Sequence, residues 1–205
     1  MSELSLEETI KLLDIHVKYV SKLLDFYGGK QVKHRLPNYP EDISENLVKH
    51  LIANIEGISC SRQKKVGDLL TNENKRIEVK CYTSTGPSSF GPNEQWDVIY
   101  FLDAQNFING EYKLYKVNLK NTDEKFRKIP MNKTETYGDQ CEQKRRPRIS
   151  FEELRKHITN EVCEIFNGNI HLHAEVVKAQ KQQEEAQKHL EEAQKHLEEI
   201  KISDE

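Results

Sequence analysis

Between Arg76 and Tyr82 the chain reads Arg-Ile-Glu-Val-Lys-Cys-Tyr, a strict alternation that belongs to an extended strand, where successive side chains point to opposite faces. Ile77, Val79 and Cys81 are directed into a core. Glu78 and Lys80 then share the other face, about 6.6 Å apart. A strand this apolar has no packing use for two opposite charges side by side, so they mark the first place to look for chemistry. The turn Asn72-Glu73-Asn74 leads the chain into it.

Upstream the period is helical. Ser5 and Glu8 form a capping box, and Ile10, Leu13, Val17, Val20 and Leu24 follow at spacings of three and four until Gly28-Gly29 stops the run. A second helix is expected after Pro37 and Pro40, with Asp42 as cap, a stripe of Ile43, Leu47, Val48, Leu51, Ile52 and Ile55, and Gly57 as its end. Residues 58–70 read as an extended pair or a bent strand. Beyond the alternating strand come a loop rich in Gly, Pro and Ser at 83–95, a buried strand from Trp96 to Leu102, a turn at Asn109-Gly110 and a returning strand from Tyr112 to Leu119. Residues 121–150 are polar and turn-rich. Residues 150–166 are expected to be helical, capped by Ser150 with Glu153 at the third position. The pattern is that of an α/β fold with two helices and about four strands in a mixed sheet.

Residues 176–205 differ in kind. EEAQKHL occurs in tandem at 184–190 and 191–197, and Ala186, Leu190, Ala193, Leu197 and Ile200 make a short, Ala-rich heptad seam. We expect residues 1–175 to form the folded domain and 176–205 a charged helical tail. The tail holds five lysines and eight acids, −3, which accounts for the whole-chain balance of 31 basic against 34 acidic residues and leaves 26 against 26 elsewhere. Net charge therefore does not report the partner. The tail also holds much of the depressed hydropathy, a mean of −0.81. No apolar run approaches a membrane span, and the first residues carry acids where a secretion signal needs cations. Cys60, Cys81, Cys141 and Cys163 contain no CxxC pair, and His171-Leu172-His173 has no ligand spacing around it. The chain reads as soluble and cytosolic.

Asp68 lies ten residues before Glu78, on the expected neighbouring strand, so two carboxylates can converge on a divalent cation with an ammonium beside them. That is hard-oxygen chemistry suited to magnesium. Glu45 shares a helix stripe with Val48 and Ile52 and could reach the same metal, although Asp42-x-x-Glu45 also reads as a capping box. Gln95 and Asp97 flank Trp96, where they can face the cleft or make strand-edge hydrogen bonds. Glu73-Asn74-Lys75 and Glu111-Tyr112-Lys113 fit the acid-x-lysine spacing too. The first sits in a turn, and the second, with Asp103 upstream, is the rival set.

Gly67-Asp68, nine intervening residues and then Glu78-Val79-Lys80 resemble the catalytic motif of the PD-(D/E)XK nucleases, in particular the type II restriction endonucleases. The run SSFGPNEQWDVIYFLDA at 88–104 and the basic Arg145-Arg146-Pro147-Arg148 entering a helix add to the resemblance, which covers about residues 40–160. Gly67 stands where that family nominally has proline. The resemblance implies a restriction-endonuclease-like core, a central mixed sheet flanked by helices. It also implies Asp68, Glu78, Lys80 and Glu45 as catalytic residues, and Mg2+ held by Asp68, Glu78, the Val79 carbonyl and Glu45. The implied reaction is cleavage of double-stranded DNA to 5′-phosphate and 3′-hydroxyl ends by a homodimer in the bacterial cytoplasm. A cognate methyltransferase would be its genetic partner.

Segment 121–150 carries eight basic residues against five acids, and four cations stand among residues 144–148. Lys144, Arg145, Arg146 and Arg148 suit phosphates or guanine edges, and Ser88, Ser89, Asn93 and Glu94, with Gln95 after them, lie in the polar loop after the catalytic strand, near which the groove and the scissile phosphate are expected. A solvated basic loop and a plain connection are the blander readings. Two other functions stay open at this point: a structure-selective repair nuclease on the same core, and a non-catalytic adaptor that uses its heptad tail.

Overall fold

The computed structural model describes residues 3–31, 35–63 and 67–203. Residues 64–66, inside the expected extended stretch, and residues 204–205 of the tail lie outside that description, as do the side chains of Leu197 and Ile200. The chain divides into two units, Met1–Asn169 and Ile170–Glu205.

Helix α1 spans Leu6–Tyr27, and its capping box is complete: the Ser5 hydroxyl accepts from Glu8 N, and the Glu8 carboxylate accepts from Ser5 N. Helix α2 spans Glu41–Glu56 and ends on Gly57, whose φ of 68° is the left-handed conformation that glycine adopts without strain. The start of α2 corrects the expectation for Asp42. Pro40 occupies the N-cap with no side-chain cap, while Asp42 lies in the first turn and accepts from Arg62.

Six strands form a mixed sheet in the order β1-β2-β3-β5-β6-β8. They are β1 (Cys60–Arg62), β2 (Leu69–Thr71), β3 (Arg76–Tyr82), β5 (Val98–Asn106), β6 (Glu111–Val117) and β8 (Val162–Asn169). Among the described residues only β3 and β5 run parallel. A separate ribbon pairs β4 (Ser88–Ser89) with β7 (Arg148–Ile149). The short helices α3 (Glu124–Arg127) and α4 (Tyr137–Glu142) interrupt the stretch read as turns, α5 (Phe151–His157) follows it, and α6 covers Ile170–Ser203. The helix expected over 150–166 is corrected: α5 stops at His157 and β8 begins at Val162. Leu154, Ile158, Val162 and Ile165 recur at helical spacing, and an edge strand that is half-buried or exposed throughout offers no clean alternation to contradict them. Among the described residues, no helix is long and apolar enough to cross a membrane.

The sheet is covered on both faces. Ile99, Tyr100, Phe101 and Leu102 of β5 are wholly buried, as a central parallel strand must be. On one side α2 brings Leu47, Val48, Leu51 and Ile52, and its Glu56 carboxylate accepts from the Tyr100 hydroxyl and pairs with Lys116, each at 2.6 Å. On the other side Phe90, Trp96, Phe126, Tyr137 and Phe151 build an aromatic cluster over Ile99 and Phe101. Phe151 anchors α5, its ring centroid 4.6 Å from Phe101 and 4.8 Å from Tyr115. Phe151→Ala is expected to cost about 3–5 kcal/mol, read as a lowered urea midpoint.

Candidate active site

Among the described residues, β2 pairs with β3 at Leu69–Ile77 and Leu70–Arg76, and past Ile77 no strand residue continues along that β3 edge. Asp68 takes that place. Its N–H donates to the Ile77 carbonyl at 3.0 Å, and its Oδ2 accepts from the Val79 N–H at 2.7 Å. The chain must turn sharply just before it: Gly67 has φ of 68°, and a Cβ there would stand 3.2 Å from the Ile77 carbonyl oxygen. Proline, locked near −65°, cannot take that φ, which explains the glycine at a position where the resembling enzymes nominally carry proline.

Across the same edge lie Glu78 and Lys80. Glu78 is 3% exposed, and its Oε1 accepts a short hydrogen bond from Lys80 Nζ. Burial pushes the Glu78 carboxyl up to about 7; Lys80 opposes the rise, and the charges of Asp68 and Glu94 add to it. Asp68 is also raised, chiefly by burial, against the pull of the Val79 N–H and Lys80. For Lys80, burial works against the charge, but Glu78, Glu94 and Asp68 outweigh it and hold the ammonium above its ordinary range.

The structure therefore brings Asp68, Glu78 and Lys80 together. Glu45 is engaged differently: Arg62 Nε donates to its Oε2 at 2.7 Å, and Arg62 Nη1 reaches Asp42 at 2.6 Å. Burial raises Glu45, Arg62 lowers it, and the nearby Asp68 charge raises it again. Glu45 thus feels the site while its carboxylate is held by Arg62, a residue to which no motif points. Glu94, read in the sequence only as part of the polar loop after the catalytic strand, places its Oε2 3.4 Å from Lys80 Nζ. Its one sequence signal is an acid placed between a Gly-Pro loop and the buried Trp96.

Among the described residues no three His, Cys, Asp or Glu side chains gather into a ready-made metal cage. Asp68 and Glu78 still suit a hard divalent cation. Both are oxygen donors, burial raises both, and Asp68 disfavours ionisation of Glu78, a repulsion that a cation removes. Magnesium is commonly held by one or two carboxylates, with water and phosphate oxygens completing its shell.

The two expected DNA segments meet. Ser88 pairs with Ile149 and Ser89 with Arg148 in the β4–β7 ribbon, and Phe90 N donates to the Pro147 carbonyl at 3.0 Å. Arg146 and Arg148 are exposed while Pro147 and Ile149 are buried, so the two guanidinium groups share the outer face. Lys144 is exposed with φ of 59°. Arg145 is paired with Glu135, and that bond pulls the Glu135 carboxyl down to about 2. Asn93 is exposed. Gln95 and Asp97 make strand-edge contacts instead of facing Lys80: Arg76 Nη1 donates to Gln95 at 2.7 Å, and Arg76 N donates to Asp97 at 2.9 Å. The rival set lines a cleft of about 180 Å³ with Asn106, Tyr112 and Asn167. There Asp103 accepts from Gln105 N, Glu111 accepts from Asn169, and Glu111 and Lys113 are exposed.

The family profile described as Bsp6I restriction endonuclease matches residues 14–161, from within α1 through Glu161, and so spans Glu45, Arg62, Asp68, Glu78, Lys80, Glu94 and the β4–β7 ribbon. The chain belongs to the Bsp6I restriction endonuclease family. A curated relative, the type II restriction enzyme Bsp6I of Bacillus sp. (strain RFL6), is 35% identical over 124 residues, 59% of this chain and 67% of that protein. The match agrees with the type II restriction endonuclease to which the Asp68/Glu78/Lys80 spacing pointed, and β8 and α6 lie beyond it.

Raised carboxyls have a thermodynamic consequence for this Bsp6I-family chain. The unfolded chain releases the Glu78 proton near 4.5, whereas the metal-free fold keeps it to about 7. The native state therefore binds more protons within that window, and its stability is full below about 4.5 and falls as pH rises through 7. Urea midpoints in chelator should decline from about pH 5 to pH 7, and Glu78→Gln should flatten the decline.

Proposed function

We propose that this Bsp6I-family chain is a magnesium-dependent, site-specific endonuclease that hydrolyses both strands of double-stranded DNA to 5′-phosphate and 3′-hydroxyl ends. It would act in the bacterial cytoplasm within a restriction-modification system, with a cognate methyltransferase as genetic partner. One observation carries the reading: Asp68, Glu78 and Lys80 lie together at the open edge of β3, inside the segment that matches the family. Asp68 and Glu78, with the Val79 carbonyl, would hold the cation, which when bound supplies charge neutralisation at the phosphodiester and a more acidic water. Asp68 is fixed for this by the Val79 N–H. Lys80, held protonated by its carboxylate neighbours, is suited to orient the water and stabilise developing negative charge rather than to remove a proton. Glu45 completes the set directly or through water once Arg62 turns to a phosphate.

Lys144, Arg146 and Arg148 form no ion pair among the described residues, which suits contact with DNA, whereas Arg145 would first have to leave Glu135. Ser88 and Ser89 pair with the strand that carries Arg148, and Asn93 and Gln95 follow in the same connection. Cleavage of a duplex at a symmetric site requires two active sites, hence a homodimer. The exposed side chains of Ile15, Tyr19 and Phe26 on α1, and the tail, are the surfaces available for it.

Unmethylated phage DNA incubated with the protein and magnesium should yield discrete bands, and Lys80→Ala should slow their appearance by at least about 100-fold. A smear, a preference for branched DNA, or undiminished cutting by Lys80→Ala would overturn the reading. Arg146→Ala and Arg148→Ala should each weaken DNA binding. The slope of log affinity against log salt should fall by about one for a phosphate contact, and site preference should relax for a base contact.

A further inference from the structure

Glu94 is the acid at this site for which no nuclease motif accounts. We propose that it is a positioning residue for cleavage: with Glu78 it clamps the Lys80 ammonium, and residue 91 is glycine to leave room for that arm. The proposal rests on the reading of Lys80 as the group that meets the reacting phosphate.

An ammonium has three N–H bonds. Lys80 directs one at Glu78 Oε1 and a second at Glu94 Oε2, 3.4 Å away, while the Phe90 ring centroid lies 5.6 Å from Nζ. The remaining N–H is thereby given a fixed direction. The loop that carries Glu94 is tied at both ends of the residue. Glu94 N donates to the Gly91 carbonyl at 3.3 Å, and Asn121 Nδ2 donates to the Glu94 carbonyl at 2.6 Å. Asn121 Oδ1 also accepts from the N–H of the fully buried Trp96 at 3.3 Å. Gly91 faces the Glu94 side chain directly, since a Cβ built there would stand 2.6 Å from Oε1 and 2.9 Å from Cγ and Cδ. Its φ lies outside the left-handed range in which glycine is favoured. Space for the carboxylate arm, and not backbone conformation, is what a side chain at 91 would violate.

The test is single-turnover cleavage of a duplex carrying the site, with enzyme in excess, by Glu94→Gln, Glu94→Asp, Gly91→Ala, the Gly91→Ala/Glu94→Gln double variant and Lys80→Ala. Glu94→Gln should slow the cleavage step by about 10- to 100-fold, the scale of a misplaced reacting group, with DNA affinity in chelator unchanged. Glu94→Asp should recover part of the rate. Gly91→Ala should slow the step as well, and the double variant should be no slower than Glu94→Gln alone, because both changes remove the same contact. In metal-free protein, ammonium proton exchange at Lys80, followed by nitrogen-detected NMR, should quicken in Glu94→Gln and in Gly91→Ala. Wild-type cleavage by Glu94→Gln, independent losses in the double variant, or unchanged exchange would each overturn the clamp. If Glu94→Gln fails to fold, Gly91→Ala decides by rate and exchange together. Lys80→Ala separates the two layers: wild-type cleavage by it sinks the underlying reading, whereas its inactivity beside a fully active Glu94→Gln sinks the clamp alone.

Discussion

The hydrogen bond from the Val79 N–H to the Asp68 carboxylate holds the site together. A strand that loses its neighbour midway exposes backbone donors, and a buried donor without a partner costs about 1–3 kcal/mol. Here a side chain replaces the missing strand, so the requirement to satisfy β3 and the requirement to fix a carboxylate are met by one contact. The left-handed turn at Gly67 is the local condition for it.

From that bond the electrostatics follow. Asp68 is fixed beside a strand whose next outward residues are Glu78 and Lys80, and burial makes three charges in one place expensive unless they compensate one another. Lys80 supplies the compensation within the protein, Arg62 supplies it for Glu45, and the remaining excess of negative charge is what a cation is suited to relieve. The basic groups lie elsewhere, on and beside the β4–β7 ribbon, so residues 1–175, neutral in sum, are locally polar in two opposite senses.

Much of this was legible in the sequence where local pattern and tertiary role coincide. The alternation at 76–82, the helix ended by Gly57 and the capping box at Ser5 are set by neighbouring residues, and each is seen in the structure. Glu78 and Lys80 were legible as a pair because a strand fixes which side chains share a face, whereas Asp68, expected on the neighbouring strand, sits in the bend just before β2. β8 was not, because its apolar residues fall at helical spacing and its strand character comes only from pairing with β6. Asp42 looks like a cap by composition, but Pro40 already sets the start of α2. Arg62 carried no signal, and Glu94 was legible as a loop residue near the site but not as a partner of Lys80, because these contacts span 17 and 14 residues and no periodicity connects them.

The parallel pairing of β3 with β5 has a further consequence for how such a chain can change over time. Two parallel neighbours cannot be joined by a tight hairpin; the chain must travel back to the starting end of the sheet before it begins the second strand. Here that return path is residues 83–97, the stretch that contains β4 and Glu94. The segment can vary in side chains, and so in what it touches, yet it cannot be excised or shortened to a turn without dissolving the strand order. Its existence is guaranteed by topology, while its content is left open to selection.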